Sequence, residues 1–196
     1  MANLNELIAD VYTITNRPDL VAETLLEIKS ATLKAHRSDF YAKDIFEAGI
    51  EWNTPAYIQS LAYRDIIPRW RALKFLRKYT ADGVAGQFFT PLTPEATLDA
   101  YGVNKENVCY LAGEMLEIRS TTQDRYMLLG CYIDPDITAE GYSSWVARSY
   151  PYMIVYEAAR KLFKMIGFDE QAAQMNQLVA EELAVMRATE LATTGF

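Results

Sequence analysis

The sequence has few of the residues on which most enzyme active sites depend. Its 196 residues include one histidine and two cysteines. No glycine-rich loop of the GxxxxGK[ST] or GxGxxG type occurs, so the usual backbone cradle for nucleotide phosphates is missing. Cys109 and Cys131 each lie in a segment typical of a strand, which favours small buried thiols over a redox pair. We therefore expect no nucleotide chemistry and no cofactor.

Long apolar runs are also missing. The most apolar uncharged stretch surrounds Met153–Val155 and is far shorter than the ~20 residues that a membrane span needs. The N-terminus, MANLNELIAD, has no basic region followed by an apolar run, so no secretory signal is predicted. The net charge of −7 argues against a general nucleic-acid binder. We expect a chain without a membrane partner whose contacts with DNA, if it makes any, are local.

Apolar residues nevertheless make up 51% of the chain, enough for one substantial core. Asn3 and Glu6 have the spacing of a capping box and predict a first helix that ends near Asn16. Pro18 is suited to the first turn of a second helix. One face of that helix is marked by apolar and small residues at helical spacing, namely Val21, Leu25, Ile28, Thr32 and Ala35.

The middle of the chain has the character of strands. A β-compatible run covers Phe46–Trp52, with a bulge or turn at Gly49. Pro68 interrupts the next segment, which fits two short strands or a helix broken by the proline; the strands are favoured. The stretches TADGVAGQF and PLTPEATLDAYG indicate a loop region with a single helical turn in the second.

Three further strands complete a small antiparallel sheet in this prediction. ENVCYLAGEMLEIRST predicts a hairpin that turns at Ala112-Gly113, and RYMLLGCYIDPDI predicts a third strand that ends at Asp134-Pro135. After Gly141 the pattern becomes helical again. Ser149 and Pro151 suit the start of a helix that Gly167 ends, with Val155, Ala158, Leu162 and Met165 along its inner side.

A last helix is predicted from Asp169 to about Thr193. Its apolar side carries Ala172, Met175, Val179, Leu183 and Met186, and its exposed side carries Glu181, Glu182 and Glu190 against a single Arg187.

The order of elements predicts an α+β fold. N- and C-terminal helices form a helical bundle, with a small antiparallel β subdomain inserted between them. We expect one domain over residues 1–196, with a helical core at 1–40 and 143–193 and a β-rich lobe at about 44–138.

Candidate catalytic and metal-binding residues are few. His36 lies near the end of the second helix, where its imidazole can cap terminal carbonyls or form a hydrogen bond with the next segment; a Ser-His-Asp or Cys-His site could be built only around it. Asp134 and Asp136 could bind a hard cation, although an Asp-Pro-Asp turn explains them as well. Glu114 and Glu117 could form an acid/base pair, but exposed sheet positions give the same spacing. We predict no catalytic and no metal site.

A basic cluster is the most unusual local feature of this acidic chain. Fifteen residues with one acid, Asp65, contain six cations, namely Arg64, Arg69, Arg71, Lys74, Arg77 and Lys78. Trp70, Phe75 and Tyr79 are interleaved with them, which suits stacking of single-stranded bases. Intersubunit salt bridges, a solvated face and direct contact with DNA all explain the cluster. Thirteen tyrosines and three tryptophans favour protein–protein interfaces, although a core could hold them too.

Four blocks of the sequence resemble one family over nearly the whole chain. They are HRSDFYAKDIFE (36–47), PRWRALKFLRKY (68–79), the hairpin around Cys109–Arg119, and SWVARSYPYMIVYEAARKLFKMIG (144–167). In residue type, length and element order the chain is similar to the head-to-tail adaptors of short-tailed bacteriophages, the tail tubular protein A-like connectors of podoviruses.

The resemblance implies a structural virion protein without enzymatic activity. It implies a homo-oligomeric ring, usually of twelve copies, between the portal protein and the tail nozzle protein, with DNA passing through its channel without sequence recognition. The protein would assemble in the host cytoplasm and reside at the head-tail junction of the virion. The C-terminal arm would reach towards the portal, with Arg187, Leu191 and Phe196 as docking candidates, and the basic cluster would lie at an intersubunit contact or in the channel.

Two functions of other classes compete with this one. The first is a tail-associated peptidoglycan hydrolase, which would need a carboxylate of raised pKa in a cleft, such as Glu114 or Glu117. The second is a DNA-binding accessory protein that uses the basic cluster between Arg64 and Lys78.

Overall fold

The structure, a computed structural model, describes residues 3–51, 57–79, 83–93, 105–120 and 126–192. In chain order the elements are α1 (Leu4–Thr15), α2 (Val21–His36), a 3-10 turn (Ala42–Asp44), β1 (Ile45–Glu51), β2 (Ile58–Ala62), α3 (Tyr63–Ile66), β3 (Trp70–Tyr79), β4 (Ala85–Phe88), β5 (Thr90–Pro91), β6 (Val108–Ala112), β7 (Met115–Arg119), β8 (Tyr126–Ile133), α4 (Trp145–Ser149), α5 (Pro151–Met165) and α6 (Asp169–Ala192). The predicted α+β class is confirmed.

The chain divides into two compact units. A helical unit comprises Met1–Asp44 and Asp134–Phe196, and a β-rich unit comprises Ile45–Ile133. One domain over residues 1–196 stays a prediction.

Local sequence signals set the ends of α1 and α2. The Asn3 side chain accepts a hydrogen bond from the Glu6 amide at 3.0 Å, and the Glu6 carboxylate accepts one from the Asn3 amide at 3.0 Å. This capping box confirms the predicted start. The expected role of Pro18 is wrong, because Pro18 lies in the turn before α2 and the helix begins at Val21. Val21 is also exposed instead of core-facing, since it lies in the first turn, beyond the helices packed against α2.

The helices after residue 141 begin differently from the prediction. Ser144 caps α4 by accepting a hydrogen bond from the Ala147 amide at 3.1 Å. Pro151 ends that short helix and opens α5, because proline has no amide hydrogen to donate to α4. Ser149, expected to cap the main helix, is instead the last residue of α4. Gly167, with φ of +82°, follows α5 as predicted.

The core of the helical unit is built from α1, α2, α4, α5 and α6. Its fully buried apolar side chains include Leu7, Val11, Ile28, Ile154 and Met186. Two predictions about its surface are wrong. Met165 is exposed at the end of α5, and Glu190 is buried because it accepts hydrogen bonds from side chains that precede it in sequence by forty residues or more.

The β-rich unit contains two sheets where the sequence predicts one. Strand orders are β1-β8-β3-β4 and β2-β7-β6-β5. The β6–β7 hairpin is confirmed, with Gly113 at φ of +61° in its turn. The third predicted strand, β8, does not join that hairpin; it pairs with β1 and β3. Strand pairing over such sequence distances has no local signal, which explains the error.

The segment around Pro68 forms strands on both sides, as favoured, although β2 and β3 belong to different sheets. Within TADGVAGQF, Ala85–Phe88 form β4, which pairs with β3, where the sequence predicts a loop; residues 80–82 lie outside the described residues. In PLTPEATLDAYG, Pro91 belongs to β5, and the predicted helical turn lies outside the described residues.

Cys109 and Cys131 are fully buried free thiols in the core of the β-rich unit, as predicted. Burial raises the pKa of Cys109 to about 12 and that of Cys131 to about 11. Both therefore stay protonated thiols, which are poor nucleophiles. Within the part of the chain that the structure describes, no helix has the length and apolar character to cross a bilayer.

Candidate functional site

The single histidine lies in a buried Ser-His-Asp arrangement. His36 Nδ1 is hydrogen-bonded to Asp44 Oδ1 at 2.7 Å, and His36 Nε2 to Ser144 Oγ at 2.8 Å. Asp44 Oδ1 also accepts a hydrogen bond from the Trp145 indole at 2.7 Å. The three side chains of the triad are each at most 5% exposed. The order of contacts matches a hydrolytic triad, yet the serine is occupied as the cap of α4 and has no open surface beside it.

This network connects three segments of the helical unit. His36 ends α2, Asp44 ends the 3-10 turn, and Ser144 begins α4. The prediction that the imidazole bonds to the following segment agrees with the contact to Asp44. Ser144 was not singled out beforehand, although a serine directly before a helical pattern indicates an N-cap. The arrangement joins the segment where the chain leaves the helical unit, at Asp44, to the segment that follows its return at Asp134.

Arg37, the residue after His36, makes a second contact with the segment where the chain returns to the helical unit, at Asp134. Its Nε and Nη2 donate to the two carboxylate oxygens of Asp134 at 3.0 and 2.5 Å. This hydrogen-bonded pairing raises the pKa of Arg37. Asp136 accepts hydrogen bonds from the amide and hydroxyl of Thr138. Asp136 also forms a β-bridge with Ser143, so both aspartates of the Asp-Pro-Asp sequence are held by protein contacts, and no group of three potential metal ligands occurs among the described residues.

The six residues of the basic cluster are divided among different environments. Arg64 lies on α3 with its Nε 3.9 Å from Glu114, and Arg69 lies in the turn before β3. Lys78 is buried and donates to Ser120 Oγ at 2.8 Å. Arg71, Lys74 and Arg77 lie over aromatic rings of the sheet β1-β8-β3-β4. The structure therefore places three of the six over rings of one sheet, with Arg71 and Lys74 at the same ring, Tyr132, and Arg77 at Phe88.

The proposed hydrolase carboxylates are not arranged as a catalytic pair with a pocket between them. Glu114 is in the β6–β7 turn with its side chain 83% exposed. Glu117 lies on β7 and accepts a hydrogen bond from Ser60 Oγ at 2.5 Å. Glu114 is thus an exposed turn residue and Glu117 a part-exposed position on the inner strand β7, which fits the alternative of ordinary sheet positions that the sequence left open.

The C-terminal half of α6 is fixed to the segment that follows α2. Arg187 Nη2 donates to the Ser38 carbonyl at 2.6 Å, and Lys43 Nζ and Tyr150 Oη donate to Glu190 at 2.8 and 3.0 Å. Of the three docking candidates, Arg187 is half-buried in this contact and Leu191 is exposed one turn later. Phe196 lies outside the described residues.

A comparison of the sequence with models of known protein families and with curated proteins found no match in either. The likeness to phage adaptors thus depends on the four sequence blocks alone.

A surface shared by α5 and α6 exposes large apolar side chains. Tyr152 and Tyr156 stack with their ring centroids 5.5 Å apart, and Tyr152 is 49% exposed. Burial, the Glu182 carboxylate and Tyr152 together raise the pKa of Tyr156, which places Glu182 of α6 near this pair. Val185, one turn beyond Glu182, is 56% exposed. We call Tyr152, Tyr156, Glu182 and Val185 the α5–α6 patch; it suits contact with another protein.

Proposed function

We propose that this chain is a structural virion protein, a head-to-tail adaptor that forms a ring between the portal and the tail nozzle of a short-tailed bacteriophage. The α5–α6 patch is the observation that carries the proposal. Tyr152 and Val185 are exposed on α5 and α6, two helices that pack against each other, and Tyr156, stacked on Tyr152, is partly buried. Aromatic residues with polar tips bury a large area at low entropic cost when copies associate.

The geometry of α6 supports association in a ring. Its 24 residues span roughly 36 Å at about 1.5 Å per residue. Val185 lies on one exposed side, and Leu191, six residues later, lies about 120° away at roughly 100° per residue. One helix thus offers two unlike surfaces. Unlike surfaces on the same subunit are what a head-to-tail contact requires, and such contacts close into a ring when the rotation permits.

The anchoring of α6 supports the same function. Arg187 and Glu190 hold its C-terminal half against residues 38–43, so the exposed side chains are presented on a fixed element. A rigid helix loses little conformational entropy on docking.

Size-exclusion chromatography with light scattering, with and without the portal protein of the same virus, tests the proposal. We expect a ring or a portal-bound assembly in at least one condition. Val185→Glu should abolish assembly because it places a buried charge in the contact, whereas Ala22→Glu, an exposed site on α2 and outside both surfaces of α6, should assemble normally. A monomer under both conditions, or equal loss in both variants, would refute the proposal.

A further inference from the structure

The outward face of the sheet β1-β8-β3-β4 combines aromatic rings and cations. Directly paired residues of antiparallel strands point to the same face. Leu76 pairs with Leu129, and both belong to the buried core. The alternate pair Tyr79 and Tyr126 therefore lies on the opposite face, and Tyr126 is 40% exposed.

Aromatic rings form a row on this outward face beside the tyrosine pair. The Phe75 ring lies so close over Gly130 that a Cβ there would be 2.4 Å from the ring. Phe75 meets Phe88 edge to face at 5.7 Å between centroids, and Phe88 is 51% exposed. Contiguous exposed apolar surface of this kind is typical of an interaction site.

Two cations lie among these rings without carboxylate partners among the described residues. Lys74 is exposed, and its Nζ donates to the Tyr132 hydroxyl at 2.9 Å. The Arg77 guanidinium is 4.7 Å from the Phe88 ring centroid, and its Nε donates to the Gly86 carbonyl at 3.0 Å. Both retain donors and full charge for an anion. They are three residues apart on β3, about 10 Å at roughly 3.3 Å per residue.

A depression of about 510 Å³ opens at the end of this sheet, where Ile50 and Met127 of the buried face also line it. Tyr79, Tyr126 and Leu128 line it from the sheet face, with Gly49 and Glu51 of β1 on its rim. This volume is within the range of small-molecule pockets and admits a nucleobase with its sugar. Arg77 pairs with Leu128, so a cation lies beside the depression.

We propose that this face binds single-stranded nucleic acid, with a base stacked at Tyr79 and Tyr126 and backbone phosphates on Arg77 and Lys74. Stacking on aromatic rings beside a cationic track is how proteins bind single strands without sequence preference. Duplex bases are stacked on each other and cannot enter the depression. An acidic peptide would use the cations but not the tyrosine pair. The carboxylate of Glu51 on the β1 rim repels phosphates, so the nucleic-acid backbone follows β3. This inference does not depend on ring formation.

Fluorescence anisotropy with a labelled oligothymidylate of about 16 nucleotides, the upper end of known site sizes, tests the proposal on the full chain. We expect binding at low salt with a slope of log K against log salt near −1.4, from two contacts at about 0.7 each. Lys74→Ala should reduce that slope by about 0.7 and Tyr126→Ala should weaken binding about 5-fold or more, while Tyr126→Phe keeps it. Lys164→Ala and Phe168→Ala, at matched exposed residues of the helical unit outside the α5–α6 patch, should change neither quantity.

Circular dichroism verifies that each variant is folded. If Tyr126→Ala does not fold, Tyr126→Phe keeps the test valid. Absence of binding at low salt would overturn the proposal. So would equal loss in the control variants, or tighter binding of a duplex of the same length. Displacement of the oligonucleotide by poly-glutamate together with an inert Tyr126→Ala would instead identify an acidic protein as the occupant and also overturn it.

Discussion

The buried network around His36 gives the largest predicted effect of a single substitution. Asp44→Ala removes the oxygen that His36 Nδ1 and Trp145 Nε1 contact at 2.7 Å each. Both nitrogens lie in side chains at most 8% exposed, so water cannot replace the lost acceptor. A buried polar group without a partner costs about 1–3 kcal/mol, and two of them cost about 2–6 kcal/mol. We expect the free energy of unfolding of the helical unit to fall by that amount.

Equilibrium urea unfolding followed by far-UV circular dichroism measures this change, because most helical signal comes from the helical unit. Asp39→Ala is the matched control, since Asp39 belongs to the same connection but its side chain is 36% exposed, with an oxygen 3.8 Å from Arg187 Nε. A surface pair of that kind contributes under about 1 kcal/mol. Equal stabilities of the two variants would refute the inference that the Ser144–His36–Asp44 network fixes the unit.

Two further predictions concern one position in each unit. Burial raises the pKa of Glu157, but hydrogen bonds from Arg160 and Lys34 outweigh it and the net shift is downward from 4.5. Its ion pairs therefore stabilise the fold above about pH 4.5, and this contribution is lost as pH falls below that; Glu157→Gln should flatten the dependence of the melting temperature on pH in that range. In the β-rich unit, Gly130→Ala forces the added methyl group into the Phe75 ring and should cost about 1–3 kcal/mol in urea unfolding, whereas Gly49→Ala meets no atom within 4 Å and should leave that packing intact.

Sequence reasoning succeeded where the signal is local. The capping box at Asn3, the turn glycine at Gly113 and the helix end at Gly167 depend on backbone groups a few residues away, and the structure confirms each. The burial of Cys109 and Cys131 followed from small side chains within strand-like runs.

The local signals at Pro18 and Ser149 mislead, since neither residue starts the helix assigned to it. The failures in strand pairing and in the burial of Glu190 concern contacts between residues far apart in sequence. Glu190 was predicted on the exposed side of α6, but Lys43, 147 residues earlier, binds it in a half-buried site. The apolar periodicity of α6 gives no information about a partner residue from another segment. Likewise β8 was assigned to the β6–β7 sheet because the three are consecutive, whereas pairing with β1 and β3 buries its apolar face. The triad geometry was inaccessible for the same reason, since Ser144 lies 108 residues after His36.

The adaptor hypothesis is tested most directly by electron microscopy of the full chain mixed with the portal protein of its own virus. We predict closed rings seated on one end of the portal, and their loss with Val185→Glu but not with Ala22→Glu. Portals that stay bare at concentrations well above those used for assembly, with the chain remaining monomeric, would contradict it.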